Sequence, residues 1–252
     1  MAVGRTRQRR AQRHQVPDPP AFEHHHRDIR GGTARAAVFG VQDGLISNAS
    51  LILGVAAGDH YGQAAVRLAG LIALIGGAVS MAIGEYISMT AQRELFEREL
   101  ELERREIHRR PESERRELAH IYRARGVEPG TADELASQMM RDPDLALETH
   151  AREELGIDPK ALGSPIGAAA SSFVSFALGA LAPLLPWFVT GGHGAAVATV
   201  VLTVIAALVV GAALSRFTGR SVIRSAPRQL VFVAVPAAFV YGIGAAVGVA
   251  TG

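Results

Sequence analysis

The sequence predicts an all-α membrane protein: five transmembrane helices, with a cytoplasmic helical metal-binding domain inserted between helices 2 and 3. Three observations carry this. Five apolar runs have the length of a bilayer-crossing helix. A densely charged block separates the second run from the third, and strand-like alternation of apolar and polar residues is absent.

Residues 1–30 are polar and Arg-rich, with Pro17, Pro19 and Pro20. They are expected to form a largely flexible basic segment on the cytoplasmic side. No short apolar core precedes a small-residue cleavage site, so a cleavable signal is not expected. Residues 31–90 should hold transmembrane helices 1 and 2. The first apolar run, 34–57, is interrupted by Gln42, Asp43, Ser47, Asn48 and Ser50, so those residues should face protein or water rather than lipid. A short turn at 58–62 leads directly into the second run, 66–89.

Residues 91–162 form the charged block. Residues 91–110 continue the second helix with no proline or turn signal. Arg110-Pro111-Glu112 should break it and start a new helix, since proline is tolerated in a first turn. That helix is expected to run to about Arg125 and stop at Gly126. Thr131 followed three residues later by Glu134 predicts the cap of a third helix reaching Met140. Pro143 predicts a fourth, through Leu155, ended by Gly156. Residues 163–252 should hold transmembrane helices 3–5: 166–188 with Pro183 and Pro186 near its end, the nearly unbroken 195–214, and 230–249 with Pro236. Gly244, Gly248 and Gly252 recur every four residues, a spacing suited to close helix packing in a bilayer.

Charge is segregated. Residues 91–160 carry 18 acids and 13 bases, a net of −5, and the remainder carries +7. There is no cysteine, which excludes disulfides and thiolate metal sites. The acidic block argues against nucleic acid as a partner. Arg27, Arg30 and Arg35 belong to the N-terminal segment and the very start of span 1, and Arg216, Arg220, Arg224 and Arg228 lie between spans 4 and 5. The turn before span 2 offers only Asp59 and, at its edge, Arg67, and the segment 191–194 has no Lys or Arg. By the positive-inside rule the N-terminus and the charged block should be cytoplasmic and the C-terminus outside.

Several constellations bear chemistry. Asp43 lies about ten residues into span 1, where an ionisable group costs a few kcal/mol and normally faces a cavity or a partner. It reads either as a cation or proton site or as an acid satisfied by Asn48 or a nearby backbone. Met81 and Glu85, four apart, share a face of span 2. A thioether takes soft or borderline metals and a carboxylate takes harder ones, so with Asp43 across the hairpin they sketch a cation path. In the charged block Glu103 and Glu106, and again Glu114 and Glu117, stand three apart on one helical face. Pro111 folds the second pair toward the first, as carboxylates converge in metal-holding bundles. Glu154, with Glu153 and His150 nearby, would close such a site from the last helix. Arg104, Arg105, Arg115 and Arg116 are interleaved, so a solvated helix laced with Glu–Arg pairs is the competing reading. His24-His25-His26 is expected to bind metal only loosely, since such a short run before span 1 offers no fixed geometry. Phosphate loops, nucleophile elbows and zincin His pairs are absent, so an enzyme is not expected.

The segments VFGVQDGLISNASLILGVAAG, GGAVSMAIGEYISMTAQRE and ERELELERREIHRRPESERRE resemble the vacuolar iron transporter family, over about residues 30–252. The resemblance implies a homodimer in the lipid bilayer, with five spans per subunit, exchanging Fe(II), and often Mn(II) or other divalent ions, for protons. It implies that Asp43 and Met81 lie on the membrane path and that Glu103, Glu106, Glu114, Glu117 and Glu154 bind metal. Plant-type members carry a Met pair ahead of the last of these, where this chain has His150 and Ala151, with Met139 and Met140 lying earlier. They tend to carry a small residue where this chain has Glu85, so an additional acid is expected in the path. The implied role is export of Fe(II) from the cytoplasm across the inner cell membrane, with Co(II), Ni(II) or Zn(II) as further ions for the cytoplasmic domain. A membrane-anchored ferroxidase-like store or sensor is the alternative. A magnesium or calcium carrier is disfavoured by Met81.

Overall fold

The computed structural model describes residues 32–58 and 62–251, and all regular structure among them is helical. Helix α1 spans Gly32–Ala57 and α2 spans Gln63–Arg109; α3 (Pro111–Ala124), α4 (Pro129–Met139) and α5 (Pro143–Glu153) follow. Then come α6 (Pro165–Leu184), the single turn α7 (Pro186–Val189), α8 (Gly192–Thr218) and α9 (Val222–Thr251). Five of these, α1, α2, α6, α8 and α9, are long and apolar enough to cross a membrane. The protein is a multi-pass membrane protein.

Helix α2 is continuous over 47 residues, about 70 Å at the α-helical rise. Nothing in 63–109 can break it: no proline occurs, and its glycines lie where the helix is already established. Its apolar N-terminal half leaves Ile72, Ile75, Val79 and Ile83 exposed, as a helix facing lipid does.

Among the membrane helices, the most extensive pairwise contacts are those of α6 with α1 and then with α2. Glycine explains the α1–α6 approach. A Cβ at Gly44 would fall on the Phe176 carbonyl, and one at Gly179 on the Val41 carbonyl, so the two backbones meet with no side chain between them. The Phe176 ring meanwhile lies against Gly77 of α2 and packs with Ala78, Ala180 and Met81. Gly244 of α9 meets Gly54 of α1 in the same backbone-on-backbone way, which gives one member of the predicted glycine series its packing role. Gly252 lies outside the described residues.

The expected third span is divided. Pro183 and Pro186 each lack an N–H, and α6 ends at Leu184 before α7 restarts at Pro186. The Pro183 carbonyl is taken by Thr199 Oγ1 at 2.9 Å, and that oxygen accepts from Trp187 Nε1 at 3.0 Å. Gln63 donates to the Trp187 and Thr190 carbonyls, and Arg67 donates to the Trp187 carbonyl, which fastens the start of α2 to α7.

Three other boundaries differ from expectation. Helix α4 begins at Pro129 rather than after Thr131: Glu128 is the cap, and its carboxylate accepts from Thr131 N. Proline at the first helical position, with an acid just before it, outcompetes the threonine two residues on. Helix α5 ends at Glu153. Helix α9 starts at Val222, so Arg224 and Arg228 lie on a helix and only 219–221 form the turn, with Gly219 at φ +68°.

The helices between the second and third spans have two apolar seams. Ile107, Ala146 and Leu147 pack with Leu100 and Met140. Leu118, Ala119 and Ala136 pack with Tyr122 and Met139. Met140 packs in the first seam and Met139 in the second. Capping is deliberate as well: Asp142 accepts from Asp144 N and Leu145 N at the start of α5.

Candidate metal centre

Two sets stand out among the glutamates of α2 and α3. Glu97 pairs with Arg93, Glu101 with Arg104 and Arg105, and Glu112 with Arg115. These are the solvated i, i+3 and i, i+4 pairs that one reading of the sequence expects. Glu103, Glu106, Glu114 and Glu117 make no ion pair with Arg or Lys among the described residues. Two of them, Glu103 and Glu114, are buried.

Helix geometry explains the division. Glu103 shares its side of α2 with Ile107, so the apolar seam that docks α5 also draws Glu103 inward. Glu114 shares its side of α3 with the buried Leu118 in the same manner. The turn at Arg110 reverses the chain and brings the α3 carboxylates within electrostatic reach of those on α2. Burial raises the Glu103 carboxyl to about 7, helped by the charges of Glu154, Glu114, Glu106 and Glu117. Glu114 is raised by burial and by Glu117, Glu106 and Glu154, with Arg110 opposing. The five acids predicted as metal ligands thus form one electrostatic group.

His150 completes its inner part. The ring is fully buried, held by the α5 seam through its neighbours Ala146, Leu147 and Ala151. Its Nδ1 lies 3.1 Å from Glu103 Oε1 and 3.6 Å from Glu154 Oε2. Neither ring nitrogen, nor Glu103 Oε1, makes a hydrogen bond. Buried polar atoms without partners are uncommon and costly, at about 1–3 kcal/mol each. Donor atoms of Glu103, His150 and Glu154 all lie within 4.8 Å of one another, so one cation could be held by two oxygens and an imidazole nitrogen. That donor set suits a borderline ion such as Fe(II), Mn(II) or Zn(II) better than Mg(II) or Ca(II). Glu106, Glu117 and Glu154 are exposed at the rim. Glu153, raised as a neighbour of the site, pairs with Arg125 instead.

The membrane candidates have different surroundings. Asp43 is half-buried on α1, and its carbonyl accepts from Ser47 Oγ at 2.6 Å. Asn48 is buried and donates through Nδ2 to the Ala180 carbonyl at 2.6 Å, pinning α1 to α6; its Oδ1 has no partner. Met81 packs against the Phe176 cluster. Glu85 is buried and pairs with Arg35 of α1, Nη2 to Oε2 at 3.2 Å. Sequence reasoning missed that pairing. Its signal was Arg35 itself, the base in the first turn of span 1, one helix away from an intramembrane acid that needs a cation. Met89 is buried against Ala36 and Ala168 at the same end of the bundle. Met81 and Glu103 are not neighbours: 22 residues of one continuous helix separate them, about 30 Å along its axis. His24–His26 lies outside the described residues.

Comparison with known proteins agrees in one direction. The model of the VIT family matches residues 34–245. The chain is 31% identical over 232 residues to vacuolar iron transporter 1 of Oryza sativa subsp. japonica, covering 90% of this chain and 92% of that protein. It is 30% identical over 214 residues to vacuolar iron transporter 1 of Arabidopsis thaliana, covering 83% and 85%. A vacuolar iron transporter of Acanthamoeba castellanii is 42% identical over 154 residues, a match that spans 61% of this chain and 55% of that protein.

Proposed function

The chain belongs to the VIT family, and from that premise we propose that it is a divalent transition-metal transporter, with Fe(II) as its principal cargo and Mn(II) as a second. Cargo is exported from the cytoplasm in exchange for protons. The relatives' names support iron as cargo. The observation that carries the metal-handling part is the buried His150 ring facing Glu103 and Glu154 with its nitrogens unsatisfied. A solvated, salt-bridged helix has no reason to build that.

In this reading α3–α5 and the outer half of α2 form a cytoplasmic metal-collecting domain. Glu106, Glu114, Glu117 and Glu154 raise the local concentration of cations, and Glu103 with His150 gives the group a borderline-metal preference. Delivered to the bundle, the ion passes Met81 and Asp43. Protonation of Asp43 from the far side lowers its cation affinity and releases the metal. Arg35 holds Glu85 in the conformation described, so Glu85 joins the path only when that pair opens. Asn48 serves by fixing α1 against α6. The working unit is a homodimer in the inner cell membrane, with the C-terminus outside.

A metal-competition assay tests the cargo. Proteoliposomes containing the protein should take up Fe(II), Mn(II) should compete, and Mg(II) and Ca(II) should not at equal concentration. Equal competition by Mg(II) would remove the borderline-metal assignment. The store or sensor alternative predicts instead that adding Fe(II) consumes oxygen without net flux.

A further inference from the structure

At the turn between α8 and α9 a cavity of about 200 Å³ is lined by Arg220, Ser221, Arg224, Ser225 and Arg228. Arg224 and Arg228 are four apart on the first turns of α9 and so share one face, and Arg220, in the turn just before the helix, lines the same cavity. All three are exposed, whereas Ser225 is buried beneath them. Like charges at i, i+4 repel, and among the described residues no carboxylate pairs with them to relieve it. The chain has no Asp or Glu after Asp158. Orientation in the membrane asks only for positive charge near a span end. It does not ask for three guanidinium groups and two serines around one concavity.

We propose that this cavity binds the phosphate group of an anionic phospholipid. Guanidinium forks match phosphate oxygens, and hydroxyls and the positive end of a helix add to the same preference. The depth fits a lipid. The apolar part of α8 runs for 25 residues, Gly192–Arg216, about 37 Å, against a hydrocarbon core of about 30 Å. The turn at 219–221 therefore stands at headgroup level. Val222 and Ile223, next to the cavity, are exposed, Ile223 at 84%, and present apolar surface where acyl chains begin. A free phosphate ion would gain nothing from that apolar edge.

The test uses the full chain purified in a neutral detergent. In equimolar competition read by native mass spectrometry, the wild-type protein should retain phosphatidylglycerol over phosphatidylcholine. Phosphatidylglycerol should also raise the unfolding temperature more than phosphatidylcholine does, and the R224Q/R228Q variant should lose most of that difference. Equal retention of the two lipids overturns the proposal without reference to any variant. So does a variant that keeps the full difference. If inorganic phosphate at the same concentration protects as well as phosphatidylglycerol, the site takes a free anion and the lipid assignment is wrong. Should R224Q/R228Q fail to fold, R224K/R228K retains the charge and removes the fork; the proposal requires it to bind phosphatidylglycerol more weakly than wild type.

Discussion

His150 Nδ1 stands 3.1 Å from Glu103 Oε1 across the contact between α2 and α5, and neither atom makes a hydrogen bond. Two buried polar groups left in that condition lower the stability of the metal-free protein and are satisfied when a cation sits between them. His150→Leu fills the space with apolar atoms. It should leave the metal-free unfolding temperature equal to or above wild type, while Mn(II) binding weakens by about tenfold or more and the metal-induced rise in unfolding temperature disappears. Thermal unfolding with and without Mn(II) reads both. A strongly destabilised metal-free His150→Leu would mean that the ring serves packing alone.

Proton linkage at Glu103 gives a second expectation. Its carboxyl is raised from 4.5 to about 7 in the fold, so the folded state holds this proton more tightly than the unfolded chain does. The resulting stability is fully present below about pH 4.5 and is lost as pH rises from there through 7. The metal-free protein should therefore lose unfolding temperature across that window, and Glu103→Gln should lose less. Metal runs the other way: Mn(II) affinity should increase as pH rises through 7, because the ion and the proton compete for one carboxylate.

Arg35 and Glu85 are 50 residues apart and meet at 3.2 Å, with the Arg side chain 67% exposed and the Glu side chain 10%. Such a half-buried pair lies between the surface and buried limits. Arg35→Ala should cost about 1–2 kcal/mol, since it strands a buried carboxylate. The R35A/E85A double variant should recover much of this, and a double-mutant cycle in detergent measures the coupling. No coupling would mean that the pair is incidental.

Backbone contact between α1 and α6 depends on the missing Cβ at Gly44, which would otherwise overlap the Phe176 carbonyl. Gly44→Ala should sharply reduce the yield of monodisperse protein in size-exclusion chromatography. Gly242→Ala, where a Cβ meets open space, should not.

The five spans and the long second helix were legible because their signals are local: apolar runs of bilayer length, and no proline between Gln63 and Arg109. Proline likewise marked the reversal at Arg110. The boundaries that moved are places where two local signals compete, as Glu128–Pro129 does with Thr131, or where a charged stretch, Arg224 to Arg228, simply continues a helix. Within the acidic group, spacing singled out Glu103, Glu106, Glu114 and Glu117 but could not separate them from the Arg-paired Glu101 and Glu112. That separation follows from which side of α2 and α3 carries Ile107 and Leu118, and so from tertiary docking. The burial of His150 and the Arg35–Glu85 pair are long-range facts, and local pattern does not encode them.

Coupled transport through the bundle turns on Asp43. Proteoliposomes loaded with a pH indicator and an Fe(II) indicator should show Fe(II) flux and opposite proton flux with the wild-type protein. Asp43→Ala, folded and reconstituted to the same density, should abolish both. Wild-type Fe(II)-driven proton flux in Asp43→Ala would mean that Asp43 is not on the transport path.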